Sequence, residues 1–272
     1  MSETKTVNTP PHAVETASRF LEARRSAASL PDYPGSPPVS LDEAYVIQDA
    51  ALSQSAETVG GWKVGRINPP LSNQYGADRL AGPIFASTIS RVEPGSTGRI
   101  FSKGFGAAEA EFLFRIGNAP DLGKTSFTLE EAAAHIDAVH IGIEIASSPF
   151  PGINELGPAV TVSDFGNNNG LIIGVPVNDW KSEAFADVDV HVKINGVVVG
   201  TGRASGFTDG AVGSVRFLLE HLARRGIAIK AGDWISTGAV SGVHPVKEGD
   251  RVEANFGSLG MMECTIVAQQ AQ

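Results

Sequence analysis

A single cysteine, Cys264, stands among 272 residues. One thiol builds neither an intramolecular disulfide nor a Cys-based structural zinc site, and it fits a reducing compartment, where Cys264 is expected as a packed core thiol. Positive charge is also scarce: 21 Lys and Arg against 30 Asp and Glu leave a formal net charge of −9. With no dense Lys/Arg run, a nucleic acid or an anionic membrane is not expected as a partner, because such surfaces need clustered cations. No apolar run approaches the ~20 residues that span a bilayer. The opening "MSETKTVNTPPHAVETASRF" has no positively charged start leading into an apolar stretch, so it is not read as a secretory signal. These absences predict a soluble cytoplasmic protein whose first few residues form a loose tail.

Glycine and proline, by contrast, are plentiful, with 31 and 16 copies. They imply many turns and therefore many short strands. Helical spacing predicts helices over 12–25 and 40–54, the second opened by a Ser40/Glu43 capping box. Further helices are predicted over 127–139, capped by Thr128 and Glu131, and over 210–226, closed by Gly226. Strands are expected at 109–116, 139–146, 170–175, 188–194, 233–237, 250–256 and 260–267, with an Asn-Gly turn at 195–196. The change in character near residue 85 divides the chain into an N-terminal helical and connecting region, 1–85, and a β-rich domain, 86–272. The fold class is α+β.

Within "AAEAEFLFRIG" (107–117), alternation puts Glu109 and Glu111 on one strand face while Ala110, Phe112 and Phe114 take the other. Two like charges repel, and burial adds several kcal/mol per ion, so a buried pair requires a shared proton or a cation. A half-exposed strand with a solvated acidic face is the alternative. In "HIGIEIASS" (140–148) Glu144 falls on the face opposite Ile141, Ile143 and Ile145. Three carboxylates from neighbouring strands form an oxygen-rich site suited to Mg²⁺ or Mn²⁺ rather than zinc, the alternative for Glu144 being an Arg partner across the sheet.

Other residues gain meaning beside such a site. Lys63, in the apolar "GGWKVGR", would move protons if burial or a cation lowered its pKa, and would otherwise be a solvated lysine at a strand end. Asp78 reads as a turn residue, as do Asn167, Asn168 and Asn169 in the amide-rich "SDFGNNNG" (163–170). Thr237 and Gly238, at a strand end, offer a hydroxyl and a backbone N–H to a ligand carboxylate.

The series "GWKVG", "GPIFAS", "EAEFLF", "GIEIASS" and "ISTGAVSGVHPVKEGDRVEANFGSLG" resembles the fumarylacetoacetate hydrolase superfamily, and within it the 2-keto-4-pentenoate hydratase branch, over about residues 40–267. The resemblance implies a mixed β roll enclosing a metal, a small N-terminal helical region beside it, and homo-oligomers. It implies Mg²⁺ or Mn²⁺ on Glu109, Glu111 and Glu144, catalytic roles for Lys63 and Asp78, and substrate contacts from Asp164, Asn167, Asn168, Thr237 and Gly238. The implied reaction adds water to a 2-hydroxy-2,4-dienoate in degradation of aromatic or related compounds. Decarboxylation of a 2-oxo acid, acylpyruvate hydrolysis and a non-catalytic metal-binding module are the alternatives. The superfamily's hydrolases carry an Asn-Tyr-x-x-His-x-x-Glu stretch early in the chain, whereas residues 66–90 contain no histidine. "RLAG" after Asp78, "FGNNNG" after Asp164 and Thr208-Asp209-Gly210 also depart from the hydratase pattern, which implies a different substrate tail.

Overall fold

Two helices lead the chain, α1 (Pro11–Ser26) and α2 (Leu41–Gln54), close to the predicted spans. The computed structural model describes residues 9–271, so the tail expected at residues 1–8 lies outside the described residues. Ser40 caps α2 by accepting from the Glu43 N–H at 3.2 Å, but Glu43 reaches past Ser40 to take the Val39 N–H at 2.9 Å. The expected reciprocal box is thus shifted by one residue.

After α2 come β1 (Val59–Arg66), α3 (Leu71–Tyr75), β2 (Arg79–Phe85), β3 (Ile89–Arg91), β4 (Thr97–Ile100) and β5 (Phe105–Ile116). They continue as α4 (Leu129–Ala134), β6 (Ile136–Ser148), α5 (Pro158–Ser163), β7 (Asn168–Pro176), α6 (Glu183–Ala186), β8 (Asp189–Ile194) and β9 (Val197–Arg203). The last elements are α7 (Gly210–Arg224), β10 (Trp234–Ser236), β11 (His244–Pro245), β12 (Arg251–Asn255) and β13 (Met261–Ala268).

The helix predicted over 127–139 is the main local correction. Thr128 and Glu131 do form a full capping box, yet the helix stops at Ala134 and Ile136 begins a 13-residue strand. Pairing decides it: β6 runs antiparallel to β5 from Ile116↔Ile136 to Phe105↔Ser148, and those long-range hydrogen bonds override the local helical spacing.

Eight strands form one sheet in the order β2-β1-β10-β5-β6-β7-β3, with β11 added to β5; five form another in the order β4-β13-β12-β8-β9. Parallel pairs (β1 with β10, β3 with β7, β4 with β13) mix with antiparallel ones, giving the expected α+β class. β1 and β2 share the large sheet with β5, β6 and β7, so residues 59–85 are tied by backbone hydrogen bonds to the β-rich remainder. β8 and β9 are joined by the Asn195-Gly196 turn, both residues at positive φ as a tight hairpin requires.

Alternation gives the large sheet two different faces. On one, Phe112, Phe114, Ile141, Ile143 and Ile145 join Val215, Leu218 and Leu222 of α7, and Val252, Cys264 and Ile266 of the second sheet, in a single buried core. Each such large side chain contributes about 1.5–3 kcal/mol by leaving water. Cys264 is buried there, and burial pushes its thiol up to about 12. The other face carries Glu109, Glu111 and Glu144, and the sheet curls until β2 approaches β7. Among the described residues no helix is long and apolar enough to cross a membrane.

Candidate metal centre

Cross-strand register assembles the acids. Glu109 and Glu144 are direct partners in the β5–β6 ladder, and Glu111 follows Glu109 on the same face. One carboxylate oxygen from each of the three lies within 4.8 Å of the others. Glu111 and Glu144 are 0% exposed and Glu109 4%, so the solvated acidic face that alternation also allowed is excluded.

Lys63 enters from β1, whose parallel register places it beside Ser236 of β10. Its Nζ lies 3.3 Å from Glu144 Oε1 and 3.4 Å from Asn167 Oδ1. Burial alone would lower its pKa, but the charges of Glu144, Glu109 and Glu111 outweigh burial and leave it raised. Burial alone therefore does not lower it in the metal-free site, because the field of three acids, not visible in "GGWKVGR", outweighs burial. The acids answer in kind. Burial pushes Glu109 up to about 7 despite Lys63, while burial together with the charges of Glu144 and Glu109 holds Glu111 well above the usual carboxylate range.

One lysine compensates three buried acids incompletely. Glu111 Oε2 accepts from the Ser236 hydroxyl and from the Gly238 N–H at 2.8 Å, and Glu144 Oε1 accepts from Asn168 Nδ2 at 2.9 Å. Among the described residues, Glu111 Oε1 and Glu144 Oε2 have no hydrogen-bond partner. Buried oxygens left without a partner are costly, and their place on two of three carboxylates that approach one another within 4.8 Å matches the all-oxygen ligation of Mg²⁺ or Mn²⁺. The residues present therefore fit a divalent cation, with Asn168, Ser236 and Gly238 orienting the ligands from behind.

The amide-rich loop reaches the cluster through a strained turn. Phe165, Gly166 and Asn167 lie at φ 56°, 63° and 56°, three left-handed residues in succession, a conformation that costs about 1–2 kcal/mol per non-glycine residue. Gly82 of β2 makes room for the turn, since a Cβ there would stand 2.1 Å from the Phe165 carbonyl oxygen. The turn delivers Asn167 to Lys63, and Asn167 Nδ2 donates onward to Asn154 Oδ1 at 3.0 Å. Behind Asn168 a cavity of about 420 Å³ opens, lined in part by Leu21, Phe85, Phe101 and Phe165.

Four other residues assigned by resemblance make contacts of their own. Asp78 is outside the cluster, its side chain 57% exposed and paired with Arg79 at 2.8 Å. Asp164 is buried but occupied, accepting from Arg24 and, at 2.6 Å, from the Ser148 hydroxyl. The Gly238 N–H donates to Glu111 Oε2 at 2.8 Å, and the Thr237 hydroxyl donates to the Phe112 carbonyl at 2.8 Å. Sequence reading missed Arg24, Ser148, Asn154 and Ser236, which hold these groups in place; isolated polar residues of this kind carry no spacing signal. The histidines lie elsewhere: His140 Nδ1 bonds the Gly174 carbonyl, His221 stacks on Phe217 and His244 bonds Ser241.

Residues 102–267 match the fumarylacetoacetate (FAA) hydrolase C-terminal family. The chain is 27% identical over 252 residues to 2-hydroxyhexa-2,4-dienoate hydratase of Comamonas testosteroni, covering 89% of this chain and 92% of that one. It is 24% identical over 268 residues to 2-keto-4-pentenoate hydratase of Paraburkholderia xenovorans, covering 96% and 97%. In fold it is similar to 4-oxalocrotonate decarboxylase from Pseudomonas putida G7, solved with magnesium and adipate, at a TM-score of 0.78 and 21% identity over 94% of this chain and 97% of that one.

Proposed function

The chain belongs to the fumarylacetoacetate hydrolase C-terminal family, and from that premise we propose that it is a metal-dependent hydratase of 2-hydroxy-2,4-dienoates. The product is a 4-hydroxy-2-oxo acid, and the setting is breakdown of aromatic or related compounds. One observation carries the reading: a buried lysine among three buried carboxylates, two of which keep an unpartnered oxygen. The hydratase names of relatives that span most of the chain support the choice of reaction.

Glu109, Glu111 and Glu144 would hold Mg²⁺ or Mn²⁺, which supplies positive charge to the substrate carboxylate and its neighbouring 2-oxygen. Lys63 is the proton carrier. Its Nζ lies 3.3 Å from Glu144 Oε1, and as an ammonium it gives its proton to C5 of the dienol. The proton leaving the 2-hydroxyl restores it. Water then adds its hydroxyl at C4 and its proton at C3, completing the hydration. Asn167 aims the Lys63 ammonium, and Asn168 fixes Glu144.

Self-association belongs to the same reading. Val197, Val198 and Val199 are 65%, 53% and 41% exposed on β9, the last strand of its sheet, an apolar edge that isolated chains usually guard with charge.

Incubation with a panel of 2-hydroxydienoates and 2-oxo acids, followed by ultraviolet absorbance with and without Mg²⁺, tests the activity. Metal-dependent loss of dienoate absorbance with formation of a 4-hydroxy-2-oxo acid is expected. Release of CO₂ would replace hydration with decarboxylation, release of pyruvate would replace it with C–C hydrolysis, and no turnover of any member would leave a metal-binding module.

A further inference from the structure

Two adjacent arginines on α1 have opposite surroundings. Arg25 is exposed and pairs with Glu22 of its own helix. Arg24 points inward, its side chain 12% exposed, and all three of its nitrogens donate. Nε meets Asp164 Oδ1 at 2.6 Å, and Nη1 meets the Asn168 carbonyl and Asn169 Oδ1 at 3.2 Å each. Nη2 meets Asp164 Oδ2 at 3.0 Å and the Ser147 carbonyl at 3.2 Å. The guanidinium also lies 5.7 Å and 5.4 Å from the ring centroids of Phe101 and Phe165.

These contacts bracket the left-handed turn. One set grips Asp164, immediately before Phe165; the other grips Asn168 and Asn169, immediately after Asn167. A turn with three residues at positive φ does not hold itself, and strained backbone persists only where its surroundings over-determine it. A planar fork reaches acceptors on both sides at once, which the point charge of a lysine does not. Asp164, with both oxygens taken by Arg24 and Ser148, is the anchor of this arrangement.

We propose that Arg24 is a positioning residue for the metal centre: by clasping Asp164, Asn168 and Asn169 it holds the Phe165–Asn167 turn so that Asn167 meets Lys63 and Asn168 meets Glu144. The N-terminal helix is thereby part of the site, although it supplies no ligand to it. The Mn²⁺ arm of the test rests on the metal site proposed above, and only the turnover arm rests on the proposed reaction.

Arg24→Ala and Arg24→Lys, each checked for a wild-type far-ultraviolet dichroism spectrum, are titrated calorimetrically with Mn²⁺ alone. Loss of an outer contact that orients a ligand weakens metal affinity by ~10-fold, and that loss is expected in both variants. Millimolar ethylguanidinium is expected to restore affinity to Arg24→Ala, since it returns the fork without the tether. Turnover is expected to fall in kcat by ~10-fold with little change in KM, because the proton carrier is misaimed while the substrate's ligands remain. Mn²⁺ affinity within ~2-fold of wild type in a folded Arg24→Ala overturns the proposal, as does a loss that ethylguanidinium leaves unchanged, the mark of damaged packing alone. If Arg24→Ala does not fold, Arg24→Lys decides, weakened Mn²⁺ binding supporting the proposal and wild-type binding overturning it. A wild-type protein that binds Mn²⁺ but converts no dienoate removes the proposed reaction, and the Mn²⁺ arm still decides the role of Arg24.

Discussion

Glu109 and Glu144 face each other as direct partners across the β5–β6 ladder, two acids at a position where like charges destabilise a sheet. Glu111 adds a third, with one oxygen unpartnered. An arrangement kept for a ligand costs stability when the ligand is absent. Glu111→Gln is therefore expected to melt no lower than wild type without metal, because it removes one of three crowded charges and keeps an acceptor for Ser236 and Gly238. It is also expected to lose the rise in Tm that Mn²⁺ gives the wild type. Thermal melts of both proteins with and without Mn²⁺ check this, and an equal Mn²⁺-induced rise in the variant would remove Glu111 from the ligand set.

How far the sequence discloses this site depends on the range of the interactions involved. Glu109, Glu111 and Glu144 are legible because strand alternation is local and of period two, so two glutamates one residue apart share a face wherever the strand lies. Lys63 is legible as an oddity in an apolar run, but its charge state is not, since that is set by acids on two other strands. Arg24 meets Asp164 across 140 positions, and no periodicity links them. Asp78 stays bonded to β1 through its backbone, the Ile67 N–H donating to its carbonyl at 2.8 Å, while its side chain turns to solvent and Arg79. The helix predicted over 127–139 fails because β5 lies ready to pair with Ile136–Ser148.

Asp78 gives the plainest test of geometry against resemblance. Its carboxylate is 57% exposed and its ion pair is with Arg79, which also donates to the Thr208 carbonyl at 2.7 Å. Asp78→Asn is expected to leave Mn²⁺ affinity unchanged and to cost at most ~1 kcal/mol of stability, the weight of a surface ion pair. Calorimetric titration and a denaturant melt measure both. A large fall in turnover with unchanged metal affinity would instead return Asp78 to the catalytic set.

Acid sensitivity has a source away from the metal centre. His221 stacks on Phe217, packs against Tyr45 and faces Arg225, whose Nη1 lies 3.2 Å from His221 Nε2. Burial first, then the charges of Arg225 and Arg224, lowers its pKa to about 3. In the unfolded chain the same imidazole takes a proton near pH 6.5. Between these values the unfolded state binds the extra proton, so the contribution of His221 to stability is full above about pH 6.5 and is lost as pH falls toward about 3. His221→Gln is expected to show a shallower fall in stability over that window, by up to ~1.4 kcal/mol per pH unit for one proton. Denaturant melts at pH 7.5 and pH 5 measure it, and parallel losses in both proteins would clear His221 of the effect.

Lys63 separates the electrostatic role of the site from its chemical one. Its ammonium is the cation that compensates the acids without metal, so Lys63→Met buries uncompensated charge and is expected to cost about 3–5 kcal/mol in metal-free protein. A divalent cation on Glu109, Glu111 and Glu144 substitutes for that charge, and saturating Mn²⁺ is expected to recover most of the loss. Turnover is not recovered by the same addition, because a cation restores charge and not a transferable proton. A deficit of ~10²-fold or more is expected to persist at saturating Mn²⁺, the usual weight of a general acid–base group. Melts and initial rates measured side by side across an Mn²⁺ titration distinguish the two roles. If turnover returns with stability as Mn²⁺ is added, Lys63 acts only as a counter-charge and the proton reaches C5 from another group.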